Sequence, residues 1–153
     1  MFHKAINLEF KGGTTLQVTF QSGEIKSFDM ARMFAKCPQL EALEDRVFFL
    51  SGKLFGHYGI RWNDDLDIEA ETIYEDGTDV GFATLPIGLR VGNVLCEARA
   101  KAGISQAELS SKTGIDQSDI SKLERGAGNP SIMTLEKISS ALGMKLDIRI
   151  LPE

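Results

Sequence analysis

The sequence predicts an α+β fold in two parts. An antiparallel β-rich domain with one or two short helices spans 1–79, a linker covers 80–86, and an all-α domain of four or five helices over 87–153 ends in a short β-strand. Three observations predict this. Residues 5–28 alternate apolar and polar with period two, the pattern of half-buried strands. Beyond Pro86 the apolar residues recur at helical spacing between start and stop signals. Charge divides at the same place: residues 1–85 hold 8 Lys and Arg against 14 Asp and Glu, whereas 86–153 hold 9 against 8.

Ile6, Leu8 and Phe10 alternate with Asn7 and Glu9, and Leu16, Val18 and Phe20 alternate with Gln17 and Thr19. The Lys11-Gly12-Gly13-Thr14 turn between them makes a hairpin. A second turn at 21–24 leads into Ile25 to Phe28 and completes a three-stranded meander. Asp29 is placed to cap a short helix over 30–36, which Pro38 ends or redirects, and Leu40 and Leu43 continue an apolar stripe that covers the sheet. Residues 47–50 form a short apolar run, and 57–62 resemble another strand ending in the Asn63-Asp64-Asp65 turn. Alternation over 66–74 extends the β pattern.

His57 lies near Asp64, Asp65 and Asp67 in sequence, a combination that invites a metal or acid–base reading. One His beside a solvated Asp turn does not make a ligand set, so no catalytic residue, metal or cofactor is expected. Tyr58 and Trp62 are read as core, and Cys37 and Cys96 as free, packed thiols. No run of about 18 apolar residues exists and the first ten residues alternate, which points to a cytoplasmic protein rather than a membrane one.

The first half resembles a family of small bacterial β-rich domains of unknown function linked to toxin–antitoxin loci. The likeness runs through Leu16 to Phe28 with its Ser-Gly-Glu turn, and resumes at Gly59-Ile60-Arg61-Trp62-Asn63-Asp64 and over 67–74. The resemblance implies a fold, no established active site, and a cognate toxin or other protein as partner of the acidic domain.

Residues 75–86 contain two glycines and a proline without periodicity and read as the joint, against which Phe82 and Leu85 could still dock. Pro86 then opens a helix whose Leu89, Val91, Val94, Leu95, Ala98 and Ala102 form a stripe that Gly103 ends. Ser105 and Glu108 form a capping box, Gly114 supplies a left-handed corner, and Asp116 caps the next helix. Two short helices meeting through a glycine turn constitute a helix-turn-helix, with Ala107, Leu109, Ile115, Ile120 and Leu123 inward. After a loop over 125–130, Ser131 caps a helix carrying Ile132, Leu135, Ile138 and Leu142, which Gly143 closes.

This half resembles the phage-repressor type of helix-turn-helix, the Cro and xenobiotic-response-element class. Leu95-x-x-x-Arg99, Gly103-Ile104-Ser105-Gln106-x-x-Leu109, Gly114-Ile115, Ile120-Ser121-x-Leu123-Glu124-x-Gly126 and Asn129-Pro130-Ser131-x-x-x-Leu135 carry it; Ser110-Ser111 departs from the usual Leu-Ala. In such a motif the second helix enters the major groove by its N-terminal end. The resemblance therefore implies that Gln117, Ser118 and Ser121 touch base edges. Lys122 reaches guanine or phosphate. Gln106, Lys112, Arg125 and Asn129 are the expected phosphate contacts.

A single small reader rarely reaches useful specificity, so a homodimer on a palindromic operator is implied. Leu146, Ile148 and Ile150 alternate with Lys145, Asp147 and Arg149, a strand signal that offers pairing with a second subunit or with the β-rich half. The expected function is an antitoxin-like autorepressor. The alternatives are a ligand-sensing repressor and an interaction adaptor that has lost DNA binding, for which Asp119 and the near-neutral second half leave room.

Overall fold

The period-two alternation at the start of the chain becomes strands β1 (Ala5–Phe10), β2 (Thr15–Phe20) and β3 (Glu24–Asp29). The structure, a computed structural model, describes residues 2–152 and divides into two units, Met1–Thr84 and Leu85–Glu153, each with its own apolar core.

In the first unit Leu16, Val18 and Phe20 are fully buried, and Leu8 and Phe10 pack against the core they belong to. A bulge between Ala5 and Asn7 shifts the parity of β1, so the buried residue at its start is Ala5, opposite Phe20. Asp29 accepts from the Ala31 N–H at 3.1 Å, but the helix expected over 30–36 is only a 3-10 turn, Met30–Met33, followed by a second, Pro38–Glu44. Pro38 keeps Cys37 out of the α region, which prevents one continuous helix. The Asp45 carboxylate accepts from the Val47 and Phe48 N–H groups and starts α1 (Arg46–Leu50), burying Phe49.

Strands β4 (Lys53–Phe55), β5 (Gly59–Asn63) and β6 (Leu66–Glu69) form a second antiparallel sheet. Leu54, Ile60 and Ile68 pair across it on the inner face. Trp62 is core as expected, its indole N–H donating to the Phe49 carbonyl at 2.8 Å. Tyr58 is not core: it is exposed, 5.0 Å from the Phe2 ring. His57 contacts no acid cluster; its Nδ1 lies 3.0 Å from the Ala5 carbonyl oxygen. Among the described residues no group of His, Cys, Asp and Glu is placed to hold a metal ion.

The alternation expected to run through Tyr74 stops at α2 (Ala70–Asp76), where Ala70 and Ile73 are three apart and both buried. The joint begins later than expected, because residues 80–82 belong to β7 (Thr78–Phe82), which pairs with β3 and completes the order β1-β2-β3-β7. All five β7 residues are exposed, Phe82 included. The strand is held by its backbone ladder and by Asp79, which pairs with the buried Lys26 beneath the Tyr74 ring.

The described residues of the second unit form four helices: α3 (Ile87–Lys101), α4 (Gln106–Thr113), α5 (Gln117–Glu124) and α6 (Ile132–Ala141). Leu95, Leu109, Ile120, Leu123, Ile138 and Leu142 form the core. Val94 is exposed because the inward stripe runs through 91, 95, 98 and 102, one position away; Ala107 and Ile132 likewise face solvent at the starts of their helices. The strand expected at the tail does not form: residues 144–152 have no regular structure, and Ile148 and Ile150 are exposed. A single strand has no ladder partner, and none is supplied within the described chain. No helix among the described residues is long and apolar enough to cross a membrane.

Candidate nucleic-acid interface

The corner between α4 and α5 is built from local hydrogen bonds. Ser105 Oγ accepts from the Glu108 N–H at 3.1 Å while the Glu108 carboxylate accepts from the Ser105 N–H at 2.6 Å, closing the capping box. Those bonds hold the Glu108 carboxyl below its ordinary range. Gly114 ends α4 at φ 71, a left-handed conformation that suits glycine. Ser110 Oγ donates to the Ile115 carbonyl at 2.6 Å, and Thr113 Oγ1 donates to Leu109 O at 2.7 Å and accepts from the Ile115 N–H. Of the Ser110-Ser111 pair, Ser110 is half-buried with its hydroxyl bonded and Ser111 is exposed, while Thr113 is buried with its hydroxyl satisfied.

Asp116 accepts from the Ser118 N–H at 3.1 Å and starts α5. Burial of Ile120, Leu123 and Glu124 turns the opposite face outward. Residues 117, 121 and 125 stack at four-residue spacing along that face, with 118 and 122 beside them. Gln117, Ser118, Lys122 and Arg125 are exposed and Ser121 is half-buried. The Ser118 hydroxyl is engaged with the Asp116 carboxylate at 3.1 Å, which leaves its oxygen as an acceptor for a base amino group. Lys122 Nζ lies 3.3 Å from Asp119, so the one carboxylate on this face is paired, loosely, at the surface. Lys112 and Asn129 are exposed.

Gln106, an expected phosphate contact, is also engaged within the unit. Its side-chain N–H donates to Glu124 at 2.8 Å, and Arg99 grips the same carboxylate at 2.6 and 3.0 Å while donating to the Ile104 carbonyl at 2.9 Å. Burial pushes the Glu124 carboxyl up, but the hydrogen bonds from Arg99 and Gln106 outweigh it and hold the group below its ordinary value. The Arg99 guanidinium is raised by its bond to Glu124. This buried ion pair fixes Gln106 at the start of α4 and neutralises an acid at the end of α5. In the sequence Arg99 and Glu124 are motif positions 25 residues apart, and no local pattern records that they meet.

A family model described as "Helix-turn-helix" matches residues 97–148. An uncharacterized HTH-type transcriptional regulator, y4dJ, from Sinorhizobium fredii (strain NBRC 101917 / NGR234) is 37% identical over 54 residues, 35% of this chain and 70% of that protein. The chain belongs to the helix-turn-helix transcriptional regulators. Control protein C.MunI from Mycoplasma sp is 38% identical over 61 residues, covering 39% of this regulator and 82% of that protein. The crystal structure of the restriction-modification controller protein C.AhdI from Aeromonas hydrophila is similar at 32% identity and TM-score 0.38, over 39% of this chain and 89% of that one. A second model, "Protein of unknown function (DUF2442)", matches residues 5–79 of the regulator, the β-rich part.

Proposed function

We propose that this regulator binds a two-fold DNA operator as a homodimer and represses its own gene in the manner of an antitoxin. The N-terminal end of α5 enters the major groove, Gln117, Ser118, Ser121 and Lys122 meet base edges, and Lys112, Arg125, Asn129 and Gln106 hold phosphates. The observation that carries the reading is the exposed polar face of α5 beyond a rigid Gly114 corner, with its only acid paired. Similarity to a protein named as a control protein favours transcriptional control over an adaptor that has lost DNA binding. Leu146, Ile148 and Ile150 join the tails of two subunits as paired strands, and the acidic β-rich unit is left to engage a toxin or another protein partner.

The experiment is electrophoretic binding to the DNA upstream of its own gene at several salt concentrations. Wild-type protein should shift that DNA, and Gln117→Ala with Ser121→Ala should abolish the specific shift while the fold is kept. A folded protein that shifts nothing at low salt would refute autorepression. Truncation after Met144 should yield a monomer by light scattering; a dimer would remove the tail from the proposal.

A further inference from the structure

The outer face of the β4-β5-β6 sheet carries a feature that the DNA-reading unit does not use. Two cross-strand rows face outward there, Lys53-Arg61-Asp67 and Phe55-Gly59-Glu69. Gly59 is buried, and β6 passes so close that a Cβ on it would collide with the Ile68 carbonyl oxygen. Beside these rows lies a cleft of about 190 Å³, lined by Phe55, Tyr58, Arg61, Asp67 and Glu69 with the β5 and β6 residues between them. That volume is below the usual range for drug-sized ligands and suits a small molecule.

Arg61 is the unusual member. Its guanidinium lies 3.7 Å from the centre of the Phe55 ring, stacked rather than hydrogen-bonded. Its Nε is buried without a partner, and its nearest acid, Asp67, stands 3.6 Å from Nη2, too far for a hydrogen bond. The other half-buried arginine among the described residues, Arg99, is fully engaged by Glu124 and Ile104. An unpaired buried donor calls for an explanation. A planar fork held on an aromatic ring, in one loose ion pair with Asp67 and making no hydrogen bond through Nε, matches a carboxylate. Asp67 and Glu69 on the rim would repel a simple anion but would attract an ammonium group. Phe55 and the exposed Tyr58 offer apolar surface in the same cleft.

We infer that this cleft binds a small zwitterion, a free α-amino acid with an apolar or aromatic side chain. Its carboxylate sits on the Arg61 fork, its ammonium faces Asp67 and Glu69, and its side chain lies against Phe55 and Tyr58. The test is titration calorimetry of the full-length protein against each of the twenty common amino acids at up to 10 mM, with amide-proton NMR mapping of any that bind. At least one apolar or aromatic amino acid should bind and shift the amides of residues 55–69. Arg61→Lys, which keeps the charge and removes the fork, should weaken that binding about tenfold or more, and Asp67→Asn should weaken it less. The same compound lacking either its amino or its carboxyl group should bind poorly. Absence of binding across the panel, binding unchanged in folded Arg61→Lys, or shifts confined to other residues would each overturn the inference.

Discussion

Glu124 is only 6% exposed and Arg99 17%, so each relies on the other for the hydration it has lost. Arg99→Ala strands the carboxylate, and urea unfolding should show a loss of about 3 kcal/mol. Asp119→Ala, which breaks the exposed pair with Lys122, should change stability by about 0.5 kcal/mol or less. The two substitutions separate a buried pair from a surface one. The pH dependence follows from the direction of the Glu124 shift. Its folded carboxyl lies below the ordinary value of 4.5, so its stabilisation is present above that value and is lost as pH falls through the folded one. The stability gap between wild type and Glu124→Gln should therefore narrow on acidification below pH 4.5; a constant gap would contradict the assignment. At this scale the caps were legible, because Ser105, Glu108 and Asp116 act within three residues of themselves. The Arg99–Glu124–Gln106 contact was not, since it joins three helices and no local pattern records which polar side chains converge. The stacking of Arg61 was hidden for the same reason: its defining neighbour, Phe55, lies on another strand.

Helix α3 packs so closely on the end of α5 that a Cβ on Gly92 would stand 2.5 Å from the Leu123 carbonyl oxygen and 2.6 Å from that of Glu124. Both are backbone atoms of the helix that carries the polar face, and they cannot swing aside as a side chain would. Helix propensity alone would make Gly92→Ala favourable by about 1 kcal/mol. The collision should reverse the sign and leave a net loss of about 2 kcal/mol in urea unfolding. A stabilised variant would show that the two helices can separate without cost. Elements were legible in proportion to how much they bury. The β2 alternation and the stripe of α3 each present a continuous apolar face, and both were read correctly in kind. Strand β7 buries nothing and is specified by a ladder to β3, so its composition looked like a joint. Helices α1 and α2 are one to two turns long, too short for period 3.6 to emerge from an apolar run or an alternation.

At the scale of the molecule the charge division is the most legible feature: the excess of acid, 14 against 8, belongs to residues 1–85, and the part carrying the helix-turn-helix is near neutral. Near neutrality limits how much affinity can come from phosphates, and this can be measured. If the proposed dimer places Lys112 and Arg125 of both subunits on phosphates, four counterions are released and the slope of log Kobs against log salt should be about −4. Lys112→Ala removes two of those contacts from a dimer and should bring the slope to about −2, weakening all sequences alike. Lys122→Ala tests the other role. A side chain on a base edge leaves the slope unchanged and relaxes preference at one base pair in each half-site, at about 1–3 kcal/mol per contact. A slope that ignores Lys112 would move the phosphate contacts elsewhere on the unit. A slope that falls with Lys122→Ala would reassign that lysine to the backbone, leaving Gln117, Ser118 and Ser121 as the base readers. As the proposed neutral phosphate ligands, Gln106 and Asn129 would contribute hydrogen bonds and release no counterion, so their alanine variants should lower affinity at constant slope.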